Sequence, residues 1–251
     1  MEKSYAEKSN RRFRSGFPFA VIAVVLSAAA IVMACTVFFR VENIEVTGSE
    51  RYTQEEVADG SEVLRGSSLI LTRKDLLSRH LCENLPYVGS VEVKKRFPTT
   101  LRLNVTDTAA AAKITSGDAW WVMDSTGKVL EQVQEGEAYP GFFITGLDIM
   151  APEPGQQAQV LDENAGQLAG LISLMTTLRE QGILEQITQI YAGSKTEITL
   201  LYQDRLKVKF LLGVDYERKV RIFREIAAML GDYEIGTVDL KTERACFTPS
   251  M

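Results

Sequence analysis

From Ser15 to Phe39 the chain carries no charged side chain, and Phe17–Phe39 alone gives 23 almost unbroken apolar residues. As a helix that stretch is about 35 Å long, enough to cross a hydrocarbon core of about 30 Å. It is preceded by Lys3, Lys8, Arg11, Arg12 and Arg14 against only Glu2 and Glu7, although the whole chain has a net charge of −5. This local excess of cations predicts a cytoplasmic tail over 1–16, a membrane helix over 17–39, and everything after Arg40 on the far side of the plasma membrane. Two processed forms are alternatives. Ala28-Ala29-Ala30 resembles a small-residue cleavage site and Val32-Met33-Ala34-Cys35 a lipoprotein box, but both leave the apolar Val37-Phe38-Phe39 without a purpose.

Residue types narrow the chemistry. With three cysteines (Cys35, Cys82, Cys246) and a single histidine, His80, a zinc site of N/S ligands would need nearly all of them at unrelated positions. Cys35 lies in the apolar run, which removes a disulfide scaffold and leaves Cys82 and Cys246 as thiols in separate units. The acidic balance argues against nucleic acid, whose phosphates need a basic face. No phosphate-binding loop, dinucleotide fingerprint or nucleophile elbow occurs. His80, on a helix with Leu76, Leu77 and Leu81, reads as a partly buried structural residue. Asp124 reads as a turn opener and Asp239 as the wet face of a strand. No catalytic residue, metal or cofactor is assigned.

After the anchor, Val41 to Val46 alternates at period two and ends at Gly48, a half-buried strand. Thr53 with Glu56 forms a T-x-x-E capping box that predicts a helix from Gln54 toward Val63 and Leu64. Thr72 is the expected cap of a second helix, closed by Pro86. Val88–Val93 and Thr100–Val105 are two further strands, with Val91 and Val93, and Leu101, Leu103 and Val105, on their buried faces. Neither helix can cover its apolar stripe except against this small sheet, so residues 41–108 form one module of order βααββ.

Residues 109–251 read as β-rich. Ala119–Met123 and Lys128–Leu130 flank the turn Asp124-Ser125-Thr126-Gly127, and Phe142–Ile144 ends at Thr145-Gly146. A helix spans about Asp162 to Gln181, closed by Gly182. Strands follow at Ile187–Tyr191, Glu197–Tyr202 and Arg205–Leu212, then an amphipathic helix over Tyr216–Leu230 with Lys219 on its polar side. Trp120-Trp121 reads as core and edge packing, with a ligand platform or membrane-proximal anchor as the alternative. The fold class is α+β: a transmembrane helix, a small βααββ unit, and a β-rich domain with two amphipathic helices.

Four motifs stand out in the first unit: Val41-x-x-Ile44-x-Val46-x-Gly48, Gly66-x-x-Leu69, Leu85-Pro86-x-Val88 and Val91-x-Val93-x-Lys95-x-Phe97-Pro98-x-Thr100-Leu101. With them the arrangement resembles the FtsQ/DivIB bacterial cell-division family, in which a POTRA domain directly follows the membrane anchor. In the second unit the resemblance is carried by Leu212-Gly213, Val238-Asp239-Leu240-Lys241, and Phe247 near Pro249. Thr106-Asp107-Thr108-Ala109 departs from the acidic-basic pair common at that point.

The final strand suggests the functional surface. A terminal strand over Thr237–Thr242 has no following element to cover it, so its unpaired main chain can accept a partner strand. Val238 and Leu240 are then expected in the core, with Thr237, Asp239 and Lys241 facing outward. The family resemblance implies that this region binds FtsB/DivIC-type and FtsL-type division proteins, with Lys241 as the basic contact and Phe247 as the aromatic one; Thr242 stands where some members carry an aromatic. It further implies a non-enzymatic scaffold at the division septum that engages a septal peptidoglycan synthase. The alternatives are a POTRA-containing export or assembly factor and an anchored wall-modifying enzyme.

Overall fold

Period-two runs dominate the chain after Arg40, and each finds a sheet. The computed structural model describes residues 16–250 apart from 64, 135, 137–140 and 232. The first sheet has three strands, β1 (Asn43–Thr47), β2 (Val88–Arg96) and β3 (Thr100–Asp107), in the order β1-β3-β2. β3 is central because it pairs parallel to β1 and antiparallel to β2. Two helices, α2 (Gln54–Gly60) and α3 (Lys74–Asn84), cover one face. Val57, Leu77 and Leu81 meet Val46, Val91, Val93, Leu101, Leu103 and Val105 in one core, so the expected strand faces are the buried ones. The result is a POTRA-like βααββ unit.

Local chemistry sets the helix ends. Thr53 accepts from the Glu56 N–H at 3.2 Å and the Glu56 carboxylate accepts from the Thr53 N–H at 2.8 Å, the reciprocal capping box. The Thr53 N–H, and then the Thr53 hydroxyl, which donates to the same carboxylate at 2.9 Å, hold the Glu56 carboxyl below its ordinary pKa. α2 stops at Gly60, short of the expected Val63, because the chain turns through Glu62 at φ 53°; Leu64 lies outside the described residues. Thr72 does not cap α3. Its hydroxyl donates back to the Ser68 carbonyl at 2.9 Å, and Arg73 occupies the cap position without a side-chain bond. His80 is exposed rather than partly buried: the apolar stripe of α3 turns inward at Leu77 and Leu81 and leaves it facing Glu62 at 3.9 Å.

Before this unit, helix α1 covers Gly16–Phe38. Within it the described side chains are 19, 21–33 and 38, and all are exposed. Among the described residues no helix is long and apolar enough to cross a membrane. Residues 1–15 of the expected cytoplasmic tail over 1–16 lie outside the described residues, as do several side chains of the expected span at 17–39, while Gly16 opens α1.

Nine strands form the second sheet: β4 (Ala112–Ser116), β5 (Ala119–Met123), β6 (Val129–Val133), β7 (Phe142–Asp148), β8 (Ile187–Tyr191), β9 (Glu197–Tyr202), β10 (Leu206–Leu211), β11 (Gly236–Asp239) and β12 (Cys246–Pro249). Their order is β12-β11-β10-β9-β8-β7-β4-β5-β6. Helices α4 (Ala165–Glu180) and α5 (Tyr216–Met229) bury Leu171, Leu174, Met175, Leu178, Val220 and Phe223 against Ile144, Ile190, Ile198, Leu200, Val208 and Phe210. Lys219 is buried, not on the polar side of α5, because its ammonium donates to the Thr242 carbonyl.

On the face away from these helices a register row crosses the sheet, one residue per strand: Glu131, Val122, Lys113, Phe143, Gln189, Leu201, Lys207, Thr237 and Thr248. At the β6 end the row meets the first unit. Tyr87 packs on Val122, Leu130 and Val133, its hydroxyl donates to Glu131, and the Arg51 guanidinium lies 3.5 Å above its ring. Lys128 donates to the Val88 carbonyl, and Thr108 to the Asp124 carboxylate at 2.9 Å. Trp120 rests edge-on against Phe143 at 5.9 Å, the packing role expected of it.

Candidate partner-binding edge

The loop into β11 is built by Arg205. Its guanidinium donates to the carbonyls of Gly231 at 3.0 Å and Glu234 at 3.2 Å, and its own carbonyl accepts from the Gly236 N–H. β11 then runs parallel to β10, pairing Lys207 with Thr237 and Lys209 with Asp239. Val238 and Leu240 are fully buried, as the alternation requires, while Thr237, Asp239 and Lys241 are half-buried.

β11 is not the open edge. The expectation that nothing follows to cover Thr237–Thr242 fails because β12 returns antiparallel along it, pairing Thr237 with Thr248 and Val238 with Phe247. A four-residue strand carrying a proline gives little signal in sequence, yet it is enough to cover its neighbour. The open edge at this end of the sheet is therefore β12.

Its hydrogen-bonding register follows from one contact. The Ser250 N–H reaches the Ile235 carbonyl at 2.9 Å. In an antiparallel ladder bonded and non-bonded pairs alternate, so Thr248 and Cys246 turn their polar groups toward β11, while Phe247 and Pro249 turn theirs outward. Pro249 has no N–H to offer, which leaves Phe247 as the residue of this strand with an outward N–H. The Phe247 ring lies over Gly236, where a Cβ would come within 2.5 Å of it.

Lys241 lies beside this edge and is engaged. Its ammonium reaches Glu197 at 3.2 Å and Asp239 at 3.6 Å. The Glu197 hydrogen bond, then the Asp239 charge, raise its pKa above the ordinary lysine value. Thr242 turns its hydroxyl onto the Arg244 carbonyl at 2.9 Å, and Arg218 pairs with Glu243 in the same loop at 3.1 Å. The residues expected to bind a partner therefore divide: Val238 and Leu240 are core, Thr237, Asp239, Lys241 and Thr242 form the shoulder, and Phe247 lies on the edge strand. Glu197 and Arg205 belong to the same surface but sit far off in sequence, with no local pattern to mark them. No group of three or more His, Cys, Asp or Glu that could hold a metal occurs among the described residues.

Residues 39–107 match the family model described as POTRA domain, FtsQ-type. Over the longer chain, the sequence is 26% identical to the cell division protein FtsQ of Geotalea daltonii, across 83% of this chain and 75% of the relative. It is 25% identical to FtsQ of Syntrophotalea carbinolica, across 84% and 74%. It is 21% identical to the cell division protein DivIB of Clostridium botulinum, across 66% and 63%. The POTRA-like βααββ unit, the β-rich sheet that follows it and these relatives agree: the chain belongs to the FtsQ/DivIB family of cell division proteins, with an FtsQ-type POTRA domain.

Proposed function

We propose that this chain is a bitopic, non-enzymatic scaffold of the division septum. Its helix over 17–39 holds it in the plasma membrane with the N-terminus in the cytoplasm, and its sheet receives a strand from an FtsB/DivIC-type partner that travels with an FtsL-type protein. The observation that carries the reading is the β12 edge, whose outward Phe247 N–H and carbonyls lie next to the Lys241 shoulder. Main-chain pairing supplies affinity and register, and the side chains beside it select the partner. Lys241 can exchange Glu197 or Asp239 for an incoming carboxylate at little electrostatic cost, because the shoulder is already solvated. A septal peptidoglycan synthase is a further partner of the assembled complex.

Capture of a purified FtsB/DivIC–FtsL-type pair by the full chain tests this. Lys241→Ala and Phe247→Ala each weaken capture, and ending the chain at Arg244, which removes β12 but not the buried Val238 and Leu240, abolishes it. Undiminished capture by the shortened chain, with its folding verified by circular dichroism, rules out the edge.

A further inference from the structure

Among the described residues of the FtsQ-type unit, the exposed large apolar side chains after Arg40 are Ile70 at 45%, Leu71 at 74%, Leu76 at 39% and Phe97 at 60%. Three of these four gather at one tip, and the tip is where the chain leaves α1. The Leu69 N–H donates to the Phe39 carbonyl at 2.8 Å, and Arg40 bridges to Ser68 in antiparallel fashion. The Phe97 ring stands edge-on to Phe39 at 5.4 Å. The Lys95 ammonium, on the strand leading to Phe97, caps the Ile70 carbonyl at 2.8 Å. Three separate segments thus converge on the end of one helix with their apolar side chains outward, and the exposed cations Arg73 and Lys74 follow closely on Leu71.

We propose that this tip, Ile70, Leu71 and Phe97, is seated in the headgroup–acyl boundary of the bilayer that holds α1. The inference rests on the membrane-anchor reading and adds a second point of attachment to it. Continuity with α1 argues for lipid as the occupant: Phe39 and Phe97 touch, so a helix crossing the membrane brings the tip to its surface with no further chain to span. The chemistry agrees, since apolar side chains sink into the boundary while neighbouring Lys and Arg remain among anionic headgroups. Two attachment points fix the tilt of the first unit. That unit docks at the β5–β6 end of the large sheet and β12 lies at the other end, eight inter-strand steps of about 4.8 Å away. Seating the tip therefore sets the direction in which the partner edge points.

The test uses the full chain in phosphatidylglycerol/phosphatidylethanolamine vesicles, with the native cysteines replaced by serine and an environment-sensitive fluorophore placed singly at Leu71→Cys, Phe97→Cys, Tyr233→Cys or Val25→Cys. Tyr233 is a 97% exposed control on the other unit. Lipids carrying a spin label near the headgroup are expected to remove most of the emission at positions 71 and 97 and to leave position 233 unchanged, while deep-labelled lipid quenches position 25. If position 25 is quenched but 71 and 97 match 233, the anchor stands and the seating is wrong. Shielding of 71 and 97 from an aqueous quencher that arises only on adding a division partner also overturns it, by assigning the tip to a protein. An unquenched position 25 removes the anchor and the inference together.

Discussion

The ammonium group of Lys128 donates to the backbone carbonyl of Val88 at 2.8 Å, reaching from the turn before β6 into the first residue of β2. Lys128 is buried there, and burial lowers its pKa from the ordinary lysine value, partly offset by Cys82 and Asp124. Replacing it by methionine keeps the stem but leaves the carbonyl without its donor, a loss of about 1–3 kcal/mol in urea unfolding. The pH dependence has a fixed sign. As pH rises past the lowered folded-state pKa toward the unfolded one, the unfolded chain holds the extra proton, so this residue's contribution grows with pH. Comparing alkaline titrations of unfolding for the wild type and Lys128→Met isolates that slope, which the variant lacks.

Tyr87 supplies the apolar half of the same junction. Tyr87→Phe keeps the ring against Val122, Leu130 and Val133 but removes the bond to Glu131, at a cost of about 1 kcal/mol. Tyr87→Ala empties the cluster, and small-angle scattering is expected to show a larger radius of gyration as the two units separate. An unchanged radius with lowered stability would mean that the polar contacts alone hold the junction.

The sequence was most legible where pattern and chemistry are local. The Thr53/Glu56 capping box lies within four residues, and the buried faces of β2 and β3 follow from simple alternation. β4, Ala112–Ser116, carries Lys113 buried beside Phe143, so its alternation is masked by a polar residue whose partner lies on another strand. Lys219 looks wet for the same reason: the Thr242 carbonyl that satisfies it is 23 residues away. The open edge strand itself, β12, was not legible, because its pairing with β11 depends on a loop whose shape no short motif encodes.

At Lys241 the titration has the opposite sign from Lys128. Glu197 and Asp239 raise its pKa, so its contribution is complete below the unfolded lysine pKa and fades as pH rises through the folded value. Lys241→Met is expected to flatten that alkaline decline and to lower stability at neutral pH by the same small amount, as a half-exposed, solvated pair should. Unfolding measured across the alkaline range checks this independently of any partner.

Gly236 tests whether β12 is held by close approach. A methyl group there would meet the Phe247 ring and the Thr248 carbonyl, each at 2.5 Å, and the carbonyl is backbone that cannot swing aside. Gly236→Ala should cost about 1–3 kcal/mol and increase amide exchange in 246–249 well above that in β10. Equal protection in the two strands would show that the edge absorbs the extra atom.

The N–H of Phe247 offers the sharpest test of strand addition. Phe247→Ala removes the ring but keeps the N–H, whereas Phe247→Pro removes both and leaves the bonds of Thr248 and Cys246 to β11 in place. Proline also holds the preceding Cys246 in the extended region that the strand already requires. The difference in partner affinity between the two variants therefore reports the main-chain bond, about 0.5–1.5 kcal/mol or up to roughly tenfold in Kd. Titration calorimetry with the isolated partner pair measures it. If the alanine and proline variants bind equally, the partner reads side chains at this edge and adds no strand.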